Sequence, residues 1–158
     1  MMGRRPFADA GPANTSFPPE SKSVQPDSSA FVADPELVAA LQEHSTPVPC
    51  DTDRLLFKQD TPADGVYILQ QGAVNLTMNS HDGRRIFSID AMPGSVLGLP
   101  AVVSDRPFSL GAVARAGAQV SFVSRADFFA LMHAQPALSL KMLQVLAAEV
   151  QTARKALH

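Results

Sequence analysis

Cysteine is nearly absent from this chain of 158 residues, with Cys50 as the single example. One thiol cannot form an internal disulfide, and it cannot supply the ligand cluster of a structural zinc or iron–sulfur site. No apolar run approaches the ~20 residues that a bilayer-spanning helix needs, and no apolar segment follows Arg4-Arg5 as an export signal requires. We therefore expect a cytoplasmic chain with no membrane span, no metal and no cofactor.

Neither sign of charge is in large excess, since 13 Lys and Arg against 15 Asp and Glu give a formal net charge of -2. Such a surface has no broad attraction for phosphate backbones, so we expect no DNA binding by this chain alone. The hydrophobic fraction of 46% is too high for a wholly disordered chain, and the length suits one folded domain.

Sequence patterns of known enzyme chemistry are missing as well. Gly94-Ser95-Val96-Leu97-Gly98 has neither the serine spacing of a nucleophile elbow nor the lysine of a P-loop. The four histidines are scattered singly, whereas a metal-binding barrel needs closely spaced ligands. Asp51 and Asp53 border a turn, where solvated carboxylates are common. The chain is therefore not expected to be an enzyme.

Five prolines lie among Ser, Gly, Ala and Asn in residues 1–30, with few large apolar groups. This composition predicts a disordered tail, followed by a domain over residues 31–158. Asp34-Pro35-Glu36 then supplies an N-cap, a proline at the first helical position and an acid in the first turn. A short helix is expected to run to about His44.

Short apolar segments separated by turn residues fill the chain from about residue 46 to 124. Asp82-Gly83 and Pro93-Gly94 are among the turns, which recur roughly every ten residues. This spacing predicts an antiparallel β-roll rather than a parallel sheet. The expected strands are Arg54–Lys58, Val66–Gln70, Ala73–Met78, Arg84–Ile89, Phe108–Ala114 and Gln119–Val123.

Two closing helices are expected over about residues 125–157. Ser124 to Asp127 resembles a capping box that opens the first of them, and Gln135-Pro136 separates the two. On the second helix, apolar residues at spacings of three and four form a short heptad seam. The seam comprises Leu143, Leu146, Val150, Ala153 and Leu157. It predicts a homodimer helix, with Leu138 or Leu140 resting on the roll. Packing of the whole stripe within one chain is the alternative.

Charge on this last helix is sparse. Its ionised side chains are expected to be those of Lys141, Glu149, Arg154 and Lys155. So few charges would leave an exposed apolar stripe poorly solvated, which favours the dimer.

A short helix, a β-roll and two closing helices, in that order, resemble the cyclic nucleotide-binding domain of the catabolite-activator (Crp/Fnr) superfamily. The stretch from Leu56 to Gly72 is similar to the family's strand, charged turn, tyrosine-bearing strand and glycine turn. Pro93-Gly94-Ser95-Val96-Leu97-Gly98 is similar to the start of its phosphate-binding cassette. The resemblance implies a mainly β fold with flanking helices: a double-stranded β-helix, or jelly-roll-like β-roll, plus a C-terminal helix.

The resemblance also implies which residues would hold a ligand. In the family, a short helix offers backbone N–H groups to the cyclic phosphate. A glutamate right after the glycine holds the ribose, and an arginine about ten residues on pairs with the phosphate. Counted from Gly98, these two positions are Leu99 and Phe108, so both polar anchors are missing. The expected degenerate pocket comprises Gly98, Leu99, Pro100, Ala101, Arg106, Phe108 and Ser109. Arg106 is the one residue that could swing inward to replace the lost charge.

Some branches of the superfamily carry accessory ligands instead. A haem would need an axial ligand, and the candidates are His44, His81, His133 and Cys50. Each fits a turn or a helix end, so no cofactor is expected.

These observations predict a regulatory sensor domain like the effector half of a Crp/Fnr regulator, without the DNA-binding domain. It is expected to dimerise and not to bind cyclic AMP or cyclic GMP in the usual way; its effector is an unknown small molecule or none. The alternative is a structural dimerisation or protein-interaction module whose pocket has closed around Leu99 and Phe108. In either case the chain is expected to be a truncated regulator or a stand-alone domain.

Overall fold

The structure, a computed structural model, describes residues 28–157, with side chains as far as Gln151. A 3-10 helix over Ser28–Phe31 and helix α1 over Pro35–Gln42 precede the strands. The strands are β1 (Thr46–Val48), β2 (Arg54–Phe57), β3 (Gly65–Gln71), β4 (Val74–Asn79), β5 (Arg85–Ala91), β6 (Val96–Leu97), β7 (Gly111–Ala114) and β8 (Gln119–Ser124). Helix α2 (Leu99–Ser104) lies between β6 and β7, and helices α3 (Arg125–Ala134) and α4 (Pro136–Leu157) follow β8.

The strands form two four-stranded sheets with the orders β1-β8-β3-β6 and β2-β7-β4-β5. Each pairing is antiparallel. The β4–β5 hairpin turns at Gly83, which has a φ of 86° and donates its N–H to the Ser80 carbonyl at 2.9 Å. The prediction of a mainly β roll with flanking helices is confirmed.

Strand β3 divides its side chains between two apolar clusters, because successive strand residues point to opposite faces. Leu69 belongs to the interior cluster, whereas Val66 and Ile68 belong to the helix-facing cluster. The interior cluster includes Phe31, Phe57, Leu69, Val74, Leu76, Leu97, Ala101, Phe108, Ala112 and Val120. The helix-facing cluster includes Leu37, Leu41, Val66, Ile68, Val96, Leu99, Val102, Val123, Phe128, Leu131, Leu138, Met142 and Val145. The second cluster fastens the helices to the roll.

Helix α1 begins as its sequence predicts and is tied to α4. The Asp34 carboxylate accepts the Glu36 N–H at 2.8 Å, with Pro35 in the first turn. Lys141 of α4 places its Nζ 2.9 Å from Asp34 Oδ2 and 3.1 Å from Glu36 Oε1. The hydrogen bond from Lys141 holds the pKa of Asp34 below its usual value. These ion pairs therefore connect the start of α1 to α4, the last helix.

Most ends of the expected strands and helices lie within two residues of the observed ones, and two boundaries differ by three residues. Strand β7 begins at Gly111 and not at Phe108, because Phe108 is held to the β2–β3 loop. Its N–H donates to the Thr61 carbonyl at 2.9 Å, and its carbonyl accepts the Asp60 N–H at 2.7 Å. Residues 28–30, which the composition places in the tail, form part of the 3-10 helix, where Ala30 is buried. Residues 1–27 of that tail lie outside the described residues.

Helix α4 rests on the roll through Leu138, Met142 and Val145, which are all buried. Leu140, the other contact considered for this role, is 66% exposed and does not serve it. Between residues 28 and 157, the structure contains no helix with the length and apolar character needed to cross a bilayer.

Candidate ligand pocket

The turn into α2 is built around Gly98. Its φ of 92° lies in the left-handed region, which side chains other than glycine rarely adopt. A Cβ at this position would lie 2.9 Å from Cε1 of Phe108. The preceding turn at Pro93-Gly94, before β6, is fastened to β3 because the Leu69 carbonyl accepts the Gly94 N–H at 2.8 Å and the Leu69 N–H donates to the Ser95 carbonyl at 3.0 Å. The sequence therefore builds the cassette-like turn in a single backbone conformation.

The helix after this turn is a poor anion site. Helix α2 has six residues, and no side chain caps its N-terminus. Pro100 in its first turn has no N–H to donate, so Ala101 is the first residue after it that could offer one. A hydrogen bond from a side chain lies near the C-terminal end of α2, where Arg125 Nη1 donates to the Val102 carbonyl at 2.7 Å.

Phe108 fills the place where the resemblance puts an arginine. Its side chain is 3% exposed and stacks on Phe57, with ring centroids 3.9 Å apart and an angle of 16° between the planes. Phe57 in turn lies 5.5 Å from the Tyr67 ring. This position of the roll is therefore an aromatic stack with no cation in it.

The expected pocket residues do not all meet at one cavity. Gly98, Pro100, Ala101, Phe108 and Ser109 line an inner cavity between the roll and α4. Leu99 does not, because its side chain is fully buried in the helix-facing cluster. Arg106 does not either, because its side chain is exposed in the loop after α2. The gap-free count therefore assigns to Leu99 a position that faces the helices, and Arg106 does not replace the missing charge.

Two adjacent cavities occupy the space between the roll and α4. The inner cavity is about 20 Å³, whereas one water molecule needs roughly 10–15 Å³ on this measure. The outer cavity is about 140 Å³. The outer cavity is lined by Phe31, Met78, Phe87, Pro100, Ser109, Leu110, Glu149 and Val150, and five of these also line the inner one: Phe31, Pro100, Ser109, Leu110 and Glu149.

Glu149 is a pocket residue that the sequence analysis assigned to the ionised surface of α4. The structure corrects this, because the side chain is 9% exposed and its Oε2 has no hydrogen-bond partner among the described residues. Burial raises its pKa to about 8. Its spacing from Leu138, Met142 and Val145, on the buried face of the helix, is the signal that could have identified it.

The described part of the predicted dimer seam is only partly free of the roll, because Leu146 packs against the helix-facing cluster and Val150 lines the outer cavity. Leu143 and Val150 are 53% and 50% exposed, and Leu146 is half-buried. Ala153 and Leu157 belong to the helix, but their side chains lie outside those described. Leu140, at 66% exposed, extends the apolar surface toward the start of the helix.

The candidates for an axial haem ligand lie away from both cavities. His44, His81 and His133 are exposed, and Cys50 is buried with its thiol 3.3 Å from the Val48 carbonyl. Burial raises the pKa of the Cys50 thiol, which disfavours the thiolate. Among residues 28–157, no three His, Cys, Asp or Glu side chains are grouped so that they could hold a metal ion.

Comparison with known proteins identifies the same kind of domain. The family model described as the cyclic nucleotide-binding domain matches residues 48–135. No curated protein matches the chain significantly. Similar solved structures include the catabolite activator protein of Thermus thermophilus, with a TM-score of 0.67 and 21% identity over 78% of this chain and 58% of that one.

Two further similar structures are bacterial regulators. A transcriptional regulator from Thermotoga maritima has a TM-score of 0.64 and 18% identity, over 76% of this chain and 94% of that one. The sensor domain of the transcriptional regulator DNR from Pseudomonas aeruginosa has a TM-score of 0.58 and 20% identity, over 76% and 81%. At these identities the likeness concerns the fold. The present chain spans 58% of the length of the Thermus thermophilus protein.

Proposed function

Since the chain belongs to the cyclic nucleotide-binding domain family, we propose that it is a sensor domain whose degenerate cassette does not bind cyclic AMP or cyclic GMP in the usual way. The observation that carries this proposal is the Phe108–Phe57 stack at the position of the family's phosphate-binding arginine. The family is one of binding domains, which accords with a regulatory rather than a catalytic role.

The electrostatics of the cavities support the exclusion of a cyclic phosphate. Among the residues that line them, Glu149 is the one ionisable group, and it is an acid. A phosphate would lose the charge-assisted pair that an arginine provides, which costs roughly 2 to 3 kcal/mol, or about a hundredfold in affinity. Ionised Glu149 would add repulsion of the same sign.

The size of the inner cavity supports the same conclusion. With about 20 Å³ available, it has room for little more than one water molecule and not for a nucleotide. Binding in the usual place would require Phe108 to leave its stack.

The alternative is a structural dimerisation or protein-interaction module with a closed pocket, and the nearly filled inner cavity favours it. The outer cavity of about 140 Å³ with a buried, unpartnered carboxyl favours the sensor. A purely structural core gains nothing from such a group, because burying an unpaired polar atom destabilises the fold.

The output of the sensor would be the position of α4. Glu149 and Val150 are neighbours, one buried at the cavities and the other half exposed on the apolar stripe. A ligand that prefers one position of α4 would shift the population of the dimer-competent state. The domain would thus pass a signal from the pocket to a partner copy.

Calorimetric titration with cyclic AMP and cyclic GMP tests the proposal, and we expect no binding in the low-micromolar range. Phe108→Arg should raise affinity for both nucleotides, because it returns a cation to the cassette, although loss of the aromatic stack lowers stability. Phe108→Leu is the matched control, since it also breaks the stack but adds no charge. Low-micromolar affinity of the unmodified chain would contradict the proposal.

A further inference from the structure

Glu149 lies at the junction of the inner and outer cavities and lines both. Glu149 is 9% exposed, and its fully buried Oε2 accepts no hydrogen bond from any described residue. The other described residues on this face of α4, Leu138, Met142 and Val145, are apolar and buried. One acid therefore interrupts a face that otherwise packs as a core.

The surroundings of this carboxyl are aromatic and aliphatic. Phe31 and Leu110 line both cavities, and Phe87 and Met78 line the outer one. Ser109 is the hydroxyl-bearing residue of the lining. Apolar cavities of roughly 150 Å³ accept a benzene ring, and the outer cavity is of that size, at about 140 Å³.

We infer that the outer cavity is a binding site for a small organic cation, whose apolar body packs against Phe31, Phe87 and Leu110 and whose N–H donors pair with the Glu149 carboxylate. The inference rests on the proposed sensor function and names its class of effector. A buried carboxylate with no partner is stabilised by a cationic donor and repels an anion. The site therefore selects the charge opposite to that of a cyclic phosphate.

The protonation of Glu149 supplies a second signature of this site. Its pKa of about 8 has burial as its cause. The charged or titratable groups on the elements that pack against α4 or line the cavities are Arg54, Arg85, Asp90, Glu36, Arg125, Asp127 and His133, together with Lys141 of α4 itself. None of these contributes to the shift, since desolvation is its sole cause. A cation must displace the carboxyl proton, so its affinity should rise with pH until Glu149 is ionised.

The test uses three probes of one shape and different charge: benzamidine, benzamide and benzoate. The full chain is titrated with each probe at pH 8.5, and calorimetry or ligand-observed NMR measures the three affinities. We expect benzamidine to bind at least about tenfold more tightly than benzamide, with benzoate weakest, because the amidinium makes charge-assisted hydrogen bonds. Affinity for benzamidine should rise about tenfold or more from pH 6.5 to 8.5, while that for benzamide stays level.

Glu149→Gln should abolish both the preference for benzamidine and its pH dependence, because it keeps the shape of the side chain without the charge. Glu43→Gln is the matched control, since Glu43 is exposed at the end of α1 and lines neither cavity. Thermal unfolding of both variants verifies that they are folded.

Equal binding of the three probes, a preference for benzoate, or no benzamidine binding at millimolar concentration would overturn the inference. Binding that survives Glu149→Gln unchanged would do so as well. The cyclic nucleotide titration separates this failure from that of the sensor proposal. If the unmodified chain binds cyclic nucleotides weakly and shows no preference for benzamidine, only the class of effector is refuted. If it binds cyclic nucleotides tightly, the proposed function itself is refuted.

Discussion

At the scale of single residues, two side chains decide the chemistry of the pocket. Phe108 is 3% exposed and stacks on Phe57, so the cassette has an apolar surface in place of a cation. Glu149 of α4 adds a buried carboxyl to the same inner cavity. Together they make the lining of the two cavities apolar and acidic, which is the basis of our proposal that the site disfavours anions.

The raised pKa of Glu149 predicts how stability depends on pH. Below about pH 4.5 the carboxyl is protonated in the folded and the unfolded chain, and its burial carries no ionisation penalty. Between about 4.5 and 8 the unfolded chain loses the proton first, so the free energy of unfolding falls as pH rises. Above about 8 this contribution is constant.

We therefore expect Glu149→Gln to gain stability over the unmodified chain as pH rises from 5 to 8, by roughly 1 to 4 kcal/mol. Urea denaturation at each pH measures the difference. Glu43→Gln, at an exposed residue that lines neither cavity, is the matched control. A constant difference across this range would mean that Glu149 has an ordinary pKa in the folded protein.

At the scale of elements, the turn between β6 and α2 holds Phe108 in place through close contact. Gly98 approaches the Phe108 ring so closely that a Cβ at this position would lie 2.9 Å from Cε1 of Phe108. The turn and the aromatic stack thus depend on each other.

Gly98→Ala should cost more stability than a positive φ explains. At Gly83, with a φ of 86° and no atom within 4 Å of a Cβ, alanine is expected to cost about 1 to 2 kcal/mol from backbone strain alone. At Gly98 the added contact with Phe108 should raise the cost by about 1 kcal/mol or more. Urea denaturation of both variants provides the comparison. Equal losses would show that the Phe108 ring can move aside.

At the scale of the whole molecule, the exposed stripe of α4 points to association of two chains. Leu140, Leu143 and Val150 are each at least half exposed, and the other face of the helix is already used by the roll. Contact between two stripes would bury these side chains and place the two Glu149 sites beside the same interface.

Sedimentation at tens of micromolar should therefore give a dimer. Val150→Glu should convert it to a monomer, because it places a charge in the apolar seam. Ala137→Glu adds the same charge in the exposed first turn of α4 and should leave the dimer intact. A monomeric unmodified chain would contradict the dimer helix.

Much of the fold could be predicted from the sequence, because its signals are local. Alternation of apolar residues, Asp82-Gly83 and Pro93-Gly94 locate the strands and turns, and Asp34-Pro35-Glu36 locates the first helix. The resemblance, counted without a gap from Gly98, assigns the family's arginine position to Phe108. These features depend on neighbours in the chain, so the sequence alone determines them.

The pocket depended on contacts between distant segments, which only the tertiary structure decided. Periodicity shows that Leu99 has an apolar environment, but not that this environment is the helix-facing cluster. It also cannot show that Phe108 stacks on Phe57. Glu149 is the strongest case, because a charged residue on a helix is ordinarily solvated. Its burial follows from the packing of α4 across the roll, which no local pattern specifies.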